Sequence, residues 1–174
     1  MINWVKYNKF SSYILLVISF MMSLISIFLA IYISMGSEVK YIPIMLETDG
    51  APAYAIFGII VTLIILTVIA QLYFGAIITH FMAKFIFKIP IQFYLFFKIY
   101  LIFTIFLSLS IIWELIVFND LPNVFFLVAN PFLIVGLYIL FILLQNFACV
   151  NWRKPLLFTI FCLFSFLTFT YLGG

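Results

Sequence analysis

The sequence predicts an all-α integral membrane protein, a five-helix transmembrane bundle formed by one domain over residues 1–174. Three observations lead there. Hydrophobic residues make up 68% of the chain and charged residues 7%, where a soluble domain carries about a quarter charged. Apolar runs of span length recur along the whole chain, whose mean hydropathy is +1.39. Lysines and arginines gather in alternate connections. Water would not keep such a surface dispersed, so lipid is the expected solvent.

The first run, "YILLVISFMMSLISIFLAIYI" (Tyr13–Ile33), carries no charge. It is long enough to cross a core of about 30 Å at 1.5 Å per residue. Lys6 and Lys9 precede it as in a signal peptide, but the run exceeds the roughly 7–15 residues of a signal core, so it reads as an uncleaved span. The second and third runs are Ala53–Ile78 and Phe93–Phe118, the fourth Val124–Leu144 and the last Pro155–Leu172. Asn130-Pro131 interrupts the fourth, which predicts a kink or a late helix start, because proline removes a helical hydrogen bond. Small residues let helices approach closely in lipid. Ser19, Ser23 and Ser26 on the first span, and Ala55, Gly58 and Thr62 on the second, are therefore the expected packing seams.

Orientation follows from the cations. Lys6, Lys9, Lys84, Lys88, Lys98, Arg153 and Lys154 fall on one side of a five-span arrangement and only Lys40 on the other. By the positive-inside rule this gives an N-inside, C-outside topology. The acids Glu38, Glu47, Asp49, Glu114 and Asp120 all fall toward the outer side.

His80, Lys84 and Lys88 recur every four residues beside Phe81, Phe85 and Ile89, which places them along one helical face. A helix from Ala53 to Lys88 would be about 54 Å long, too long for the core alone. The second helix is thus expected to extend into the cytoplasmic interface until Pro90 ends it, with its lysines among anionic headgroups. His80, Phe81, Lys84, Phe85 and Lys88 form the candidate surface for a partner or for lipid. An extended basic surface for nucleic acid is missing.

Lys98 and Glu114 lie inside the third run, and Asn130 opens the fourth. Ionisable residues within a span invite a functional reading. Lys98 and Glu114 are about 24 Å apart along a helix and cannot pair. Each lies near a helix end, so Lys98 is expected to snorkel to the inner face and Glu114 to reach outer water beside Trp113. Asn130 is expected to bond a neighbouring helix or the backbone loosened by Pro131, and Gln71, Gln145 and Asn146 to join helices. His80, the single histidine, has no partners for a metal. Cys149 and Cys162 show neither metal nor disulfide spacing and read as buried thiols. Phosphate loops, zinc-protease helices and nucleophile elbows are absent, so the expectation is a non-enzyme with no catalytic residue, cofactor or metal.

"GAIITHFMAKFIFKIPIQFYLFFKIYLIFTIF" (Gly75–Phe106) and "LVANPFLIVGLYILFILLQNFACVNWRKPLLFTIF" resemble corresponding parts of the YIP family of multi-spanning membrane proteins, named for interaction with Ypt/Rab GTPases, and its bacterial branch. In that family a long second span ends in a histidine- and base-containing amphipathic turn. The resemblance implies a helical scaffold in the cell membrane, a bacterial plasma membrane for that branch. It would bind another membrane protein and assist assembly or regulation of a partner, for instance an ABC-type exporter complex. Two alternatives belong to other classes. A small transporter or permease subunit would need Lys98, Glu114 or Asn130 on a polar path, and an immunity protein would shield the cell from a membrane-active peptide.

Overall fold

The computed structural model describes residues 2–36, 38, 41–42, 44, 51–118 and 128–173. Every regular element among them is a helix. In chain order these are α1 (Ile2–Tyr7), α2 (Phe10–Met35), α3 (Ala51–Phe81), α4 (Phe93–Phe118), α5 (Pro131–Ala148) and α6 (Arg153–Gly173), and a π-helical turn (Met82–Ile86) prolongs α3. Four helical stretches among the described residues are long and apolar enough to cross a membrane: Phe10–Met35, Pro52–Ile86, Phe93–Phe118 and Pro131–Ala148. The predicted fifth span is helical as α6, yet it is not one of these four.

The centre of the bundle is α4, which packs most extensively against α2 and α5. Its buried residues include Phe96, Ile99, Leu101, Ile102 and Phe103, which together cover more than one face. A helix with neighbours on several sides has no single buried stripe, and the buried residues of α4 are spread accordingly. The α2 seam is built as the sequence suggested: Ser19, Ser23 and Ser26 are all buried, and Ser23 and Ser108 of α4 share a hydroxyl hydrogen bond of 3.3 Å. At the α4–α5 contact Gly136 lies so close to Phe106 that a Cβ there would come within 2.6 Å of the Phe106 Cβ. At the α3–α4 contact a Cβ on Gly75 would fall on the Tyr100 hydroxyl.

The second predicted seam is not formed. Ala55, Gly58 and Thr62 are exposed, nothing lies within 4 Å of a Cβ built on Gly58, and the Thr62 hydroxyl bonds back to the Gly58 carbonyl at 2.8 Å. Small residues permit close approach without requiring it, and among the described residues these three stay exposed. Instead α3 meets the bundle along Val68, Leu72 and Ala76, one residue per turn, with Ala83 further on.

The fourth span starts late, as Asn130-Pro131 implied. Its helix begins at Pro131, whereas the sequence placed the start at Val124; residues 124–127 lie outside those described. Pro131 needs no amide partner in the first turn, and the Asn130 side-chain oxygen accepts from the Phe132 and Leu133 amides at 3.0 and 3.3 Å. That is an N-cap, which typically stabilises a helix by about 1 kcal/mol.

The end of α3 also differs from the uninterrupted helix to Lys88. The chain leaves helical geometry after Ile86, and Lys88 takes the left-handed conformation at φ 53. The Ile89 amide then bonds the Ala83 carbonyl at 2.9 Å, and Ile89 and Ala83 are both fully buried. This closure is one residue wider than a Schellman motif, as the π turn requires: the wide backbone bond and the burial of both residues stop the helix at the left-handed Lys88, and Pro90 follows where a helix cannot resume. From Pro52 to Ile86 the helical stretch still runs to 35 residues, about 52 Å, well beyond the hydrocarbon core.

Candidate functional site

Contacts between elements put the described cations together at one end of the bundle. The Lys98 Nζ at the start of α4 reaches α1, His80 near the end of α3 reaches Ile91 just before α4, and the Lys154 Nζ of α6 donates to the Lys88 carbonyl at 3.2 Å. Lys6, Lys9, Lys84, Lys88, Lys98, Arg153 and Lys154 therefore share this end; Lys40 lies outside the described residues.

Lys98 does not snorkel. Its side chain is 0% exposed, and Nζ donates to the Val5 carbonyl at 2.7 Å and the Asn8 carbonyl at 2.9 Å. Nζ also sits 4.3 Å from the centroid of the Tyr94 ring. The Ser11 hydroxyl donates to the Asn8 carbonyl at 2.6 Å. The last carbonyls of a helix lack intrahelical donors and carry partial negative charge, so a lysine under the end of α1 satisfies both sides without reaching water. Sequence spacing could not show this, because the acceptors are backbone oxygens about ninety residues away.

At the opposite end of α4, Glu114 does not reach outer water. It is 6% exposed, and its Oε1 accepts from the Asn130 Nδ2 at 2.9 Å and from the Ser110 hydroxyl at 3.4 Å. The same Nδ2 also donates to the Ser110 carbonyl at 3.0 Å. Asn130, 0% exposed, thus joins α4 to the start of α5 and caps that helix as well. Both expectations for Asn130 are met by one residue.

His80 faces inward rather than toward headgroups. Its Nε2 donates to the Ile91 carbonyl at 3.0 Å, and its ring packs against Phe93 and Phe96 at centroid distances of 5.3 and 5.2 Å. The rest of the predicted surface is open. Phe81 and Phe85 are 57% and 59% exposed and lie 4.4 Å apart, with exposed Lys84 beside them and Lys88 beyond the turn. The four-residue spacing fails at His80 because the α3–α4 turn folds back over it.

Several polar groups are not the interhelical contacts expected. The Asn146 amide bonds its own helix at Ile142, and Gln71 and Gln145 are exposed; the Tyr100 hydroxyl meets only the backbone carbonyl of Gln71. Cys162 is half-buried, but Cys149 is exposed, in the left-handed position that ends α5. Among the described residues no group of three or more metal-ligating side chains comes together. Gly75, Gly136 and Ser110 were missed at the sequence level. Ser110 carried a signal, since it stands one turn before Glu114; the two glycines carried none until their neighbours were known.

Comparison with family models, with curated proteins and with solved structures finds no match.

Proposed function

We propose that the chain is a non-enzymatic accessory protein of the cell membrane, crossing it five times with its basic end in the cytoplasm. It would associate with another membrane protein through α3 and assist that partner's assembly or regulation, as the YIP resemblance implies. The observation that carries this reading is the state of α3. From Pro52 to Leu63 only Ala53 and Val61 are even half-buried, and the first buried side chain is Val68. Pro52–Leu63, about 18 Å of apolar helix carrying Ala55, Gly58 and Thr62, is thus left largely exposed among the described residues. Small residues are what a second helix packs against in lipid. At the other end of the same helix, Phe81 and Phe85 offer an aromatic pair beside a lysine, suited to an amphipathic segment in the interface.

A transporter subunit is the second reading, and the α2–α4 seam favours it. Ser19, Ser23, Ser108 and Ser110 lie buried between Lys98 and Glu114, and the Ser19 hydroxyl has no hydrogen-bond partner among the described residues. Against a path, Lys98, Ser23, Ser108, Ser110, Glu114 and Asn130 each have partners within the bundle.

Cross-linking separates the two. A photoreactive phenylalanine analogue at Ile60 should give one discrete protein adduct in intact membranes, and Gly58→Leu should abolish it. The same probe at Tyr138 on α5 should label lipid only. Lipid-only labelling at Ile60 would remove the docking reading.

A further inference from the structure

An open cleft of about 350 Å³ lies between α2 and α3, lined by Leu16, Val17, Phe20, Ile69, Leu72 and Tyr73. It is more than twice the size of an apolar cavity of about 150 Å³ that stays dry and takes up a small hydrocarbon. Its lining offers water almost nothing to bond, so hydrocarbon is the natural occupant. It opens on the outer surface of the bundle, since Val17 is 60%, Tyr73 45% and Ile69 41% exposed.

Position and charge identify which hydrocarbon. On α2 the cleft begins at Leu16, seven residues beyond Lys9, and on α3 it ends at Tyr73, eleven residues before Lys84. Helical rise converts these to depths of about 10 and 16 Å below the two lysines. Half of a hydrocarbon core is about 15 Å thick, so the cleft sits at the depth of an acyl chain whose headgroup lies level with the lysines. Lys9 and Lys84 are both exposed, and an anionic headgroup at their level would meet complementary charge.

We propose that this cleft binds one acyl chain of an anionic phospholipid from the leaflet at the basic end, with the headgroup phosphate held by Lys9 and Lys84. The proposal is independent of any protein partner on α3. It concerns a lipid that stays with the purified chain rather than the general attraction of a basic end for a charged surface.

The test uses the full chain in detergent micelles supplied with dioleoyl phosphatidylglycerol or dioleoyl phosphatidylcholine, with retained lipid counted by native mass spectrometry. The expected result is one phosphatidylglycerol retained and phosphatidylcholine lost. Lys9→Gln with Lys84→Gln should weaken retention about tenfold or more. Val17→Trp, and separately Ile69→Trp, should block retention by filling the cleft while both lysines remain. These side chains stand at the open side of the cleft, so the variants should fold, and unchanged circular dichroism would verify it. If phosphatidylglycerol stays on both cleft-filled variants as on the parent chain, binding is through the headgroup alone and the proposal is overturned. Equal retention of phosphatidylcholine, or no effect of the lysine substitutions, overturns it as well.

Discussion

Asn130 and Glu114, sixteen residues apart in sequence, meet through the Asn130 Nδ2 and the Glu114 Oε1 at 2.9 Å. The contact closes the end of the bundle opposite the cations, because Asn130 also caps α5. Glu114 acts in it only as an acceptor, from Asn130 and Ser110, and a glutamine oxygen can do the same. Glu114→Gln should therefore lower stability in detergent by less than about 1 kcal/mol. Asn130→Ala removes both the cap and the bridge and should cost roughly 2 kcal/mol. Thermal unfolding followed by size exclusion measures both. A Glu114→Gln loss as large as that of Glu114→Ala would contradict the acceptor role.

Lys98 holds α1 by the Val5 and Asn8 carbonyls. Lys98→Met should release that helix while leaving the four long helices packed. Amide exchange over residues 2–9 should accelerate about tenfold or more, since hydrogen bonds to a charged group contribute about 1.5–3 kcal/mol each. Exchange unchanged in that segment would mean that α1 is held by something else.

The two close-approach glycines should respond differently. At Gly136 an added methyl meets the Phe106 Cβ, which cannot move without its helix. Gly136→Ala should destabilise by about 1–3 kcal/mol. At Gly75 the obstacle is the hydroxyl at the tip of Tyr100, and removing it with Tyr100→Phe should restore much of the loss in Gly75→Ala. No rescue by the second change would place the strain elsewhere.

These cases show what was legible in the chain. Length and apolarity marked the helices, and Asn130-Pro131 marked the start of α5, because caps and proline act on neighbouring residues. Lys98 and Glu114 stood out as polar groups inside an apolar run, but their partners did not, since both depend on how helices distant in sequence meet. The inward turn of His80 was hidden for a further reason: helical periodicity continues on paper past the point where a π turn and a left-handed residue stop the helix. The α3 seam failed in the opposite sense, with small residues in the right pattern but left exposed among the described residues.

Lys88 itself offers a test of that stop. A left-handed conformation costs a non-glycine residue about 1–2 kcal/mol, and glycine avoids it at some expense in unfolded-state entropy. Lys88→Gly should raise stability in zwitterionic detergent by up to about 1 kcal/mol. A clear loss would show that the lysine side chain contributes more than the turn geometry indicates.

The most direct test of the account is the sidedness of the bundle. In a background with Cys149→Ser and Cys162→Ala, single cysteines would replace Glu38, Lys88, Trp152 and Gly174, and intact cells would be treated with a membrane-impermeant thiol reagent. Five crossings with the basic end inside predict labelling at positions 38 and 174 and none at 88 or 152 until the cells are opened. Labelling at 88 or 152 from outside, or protection of 174, would contradict it.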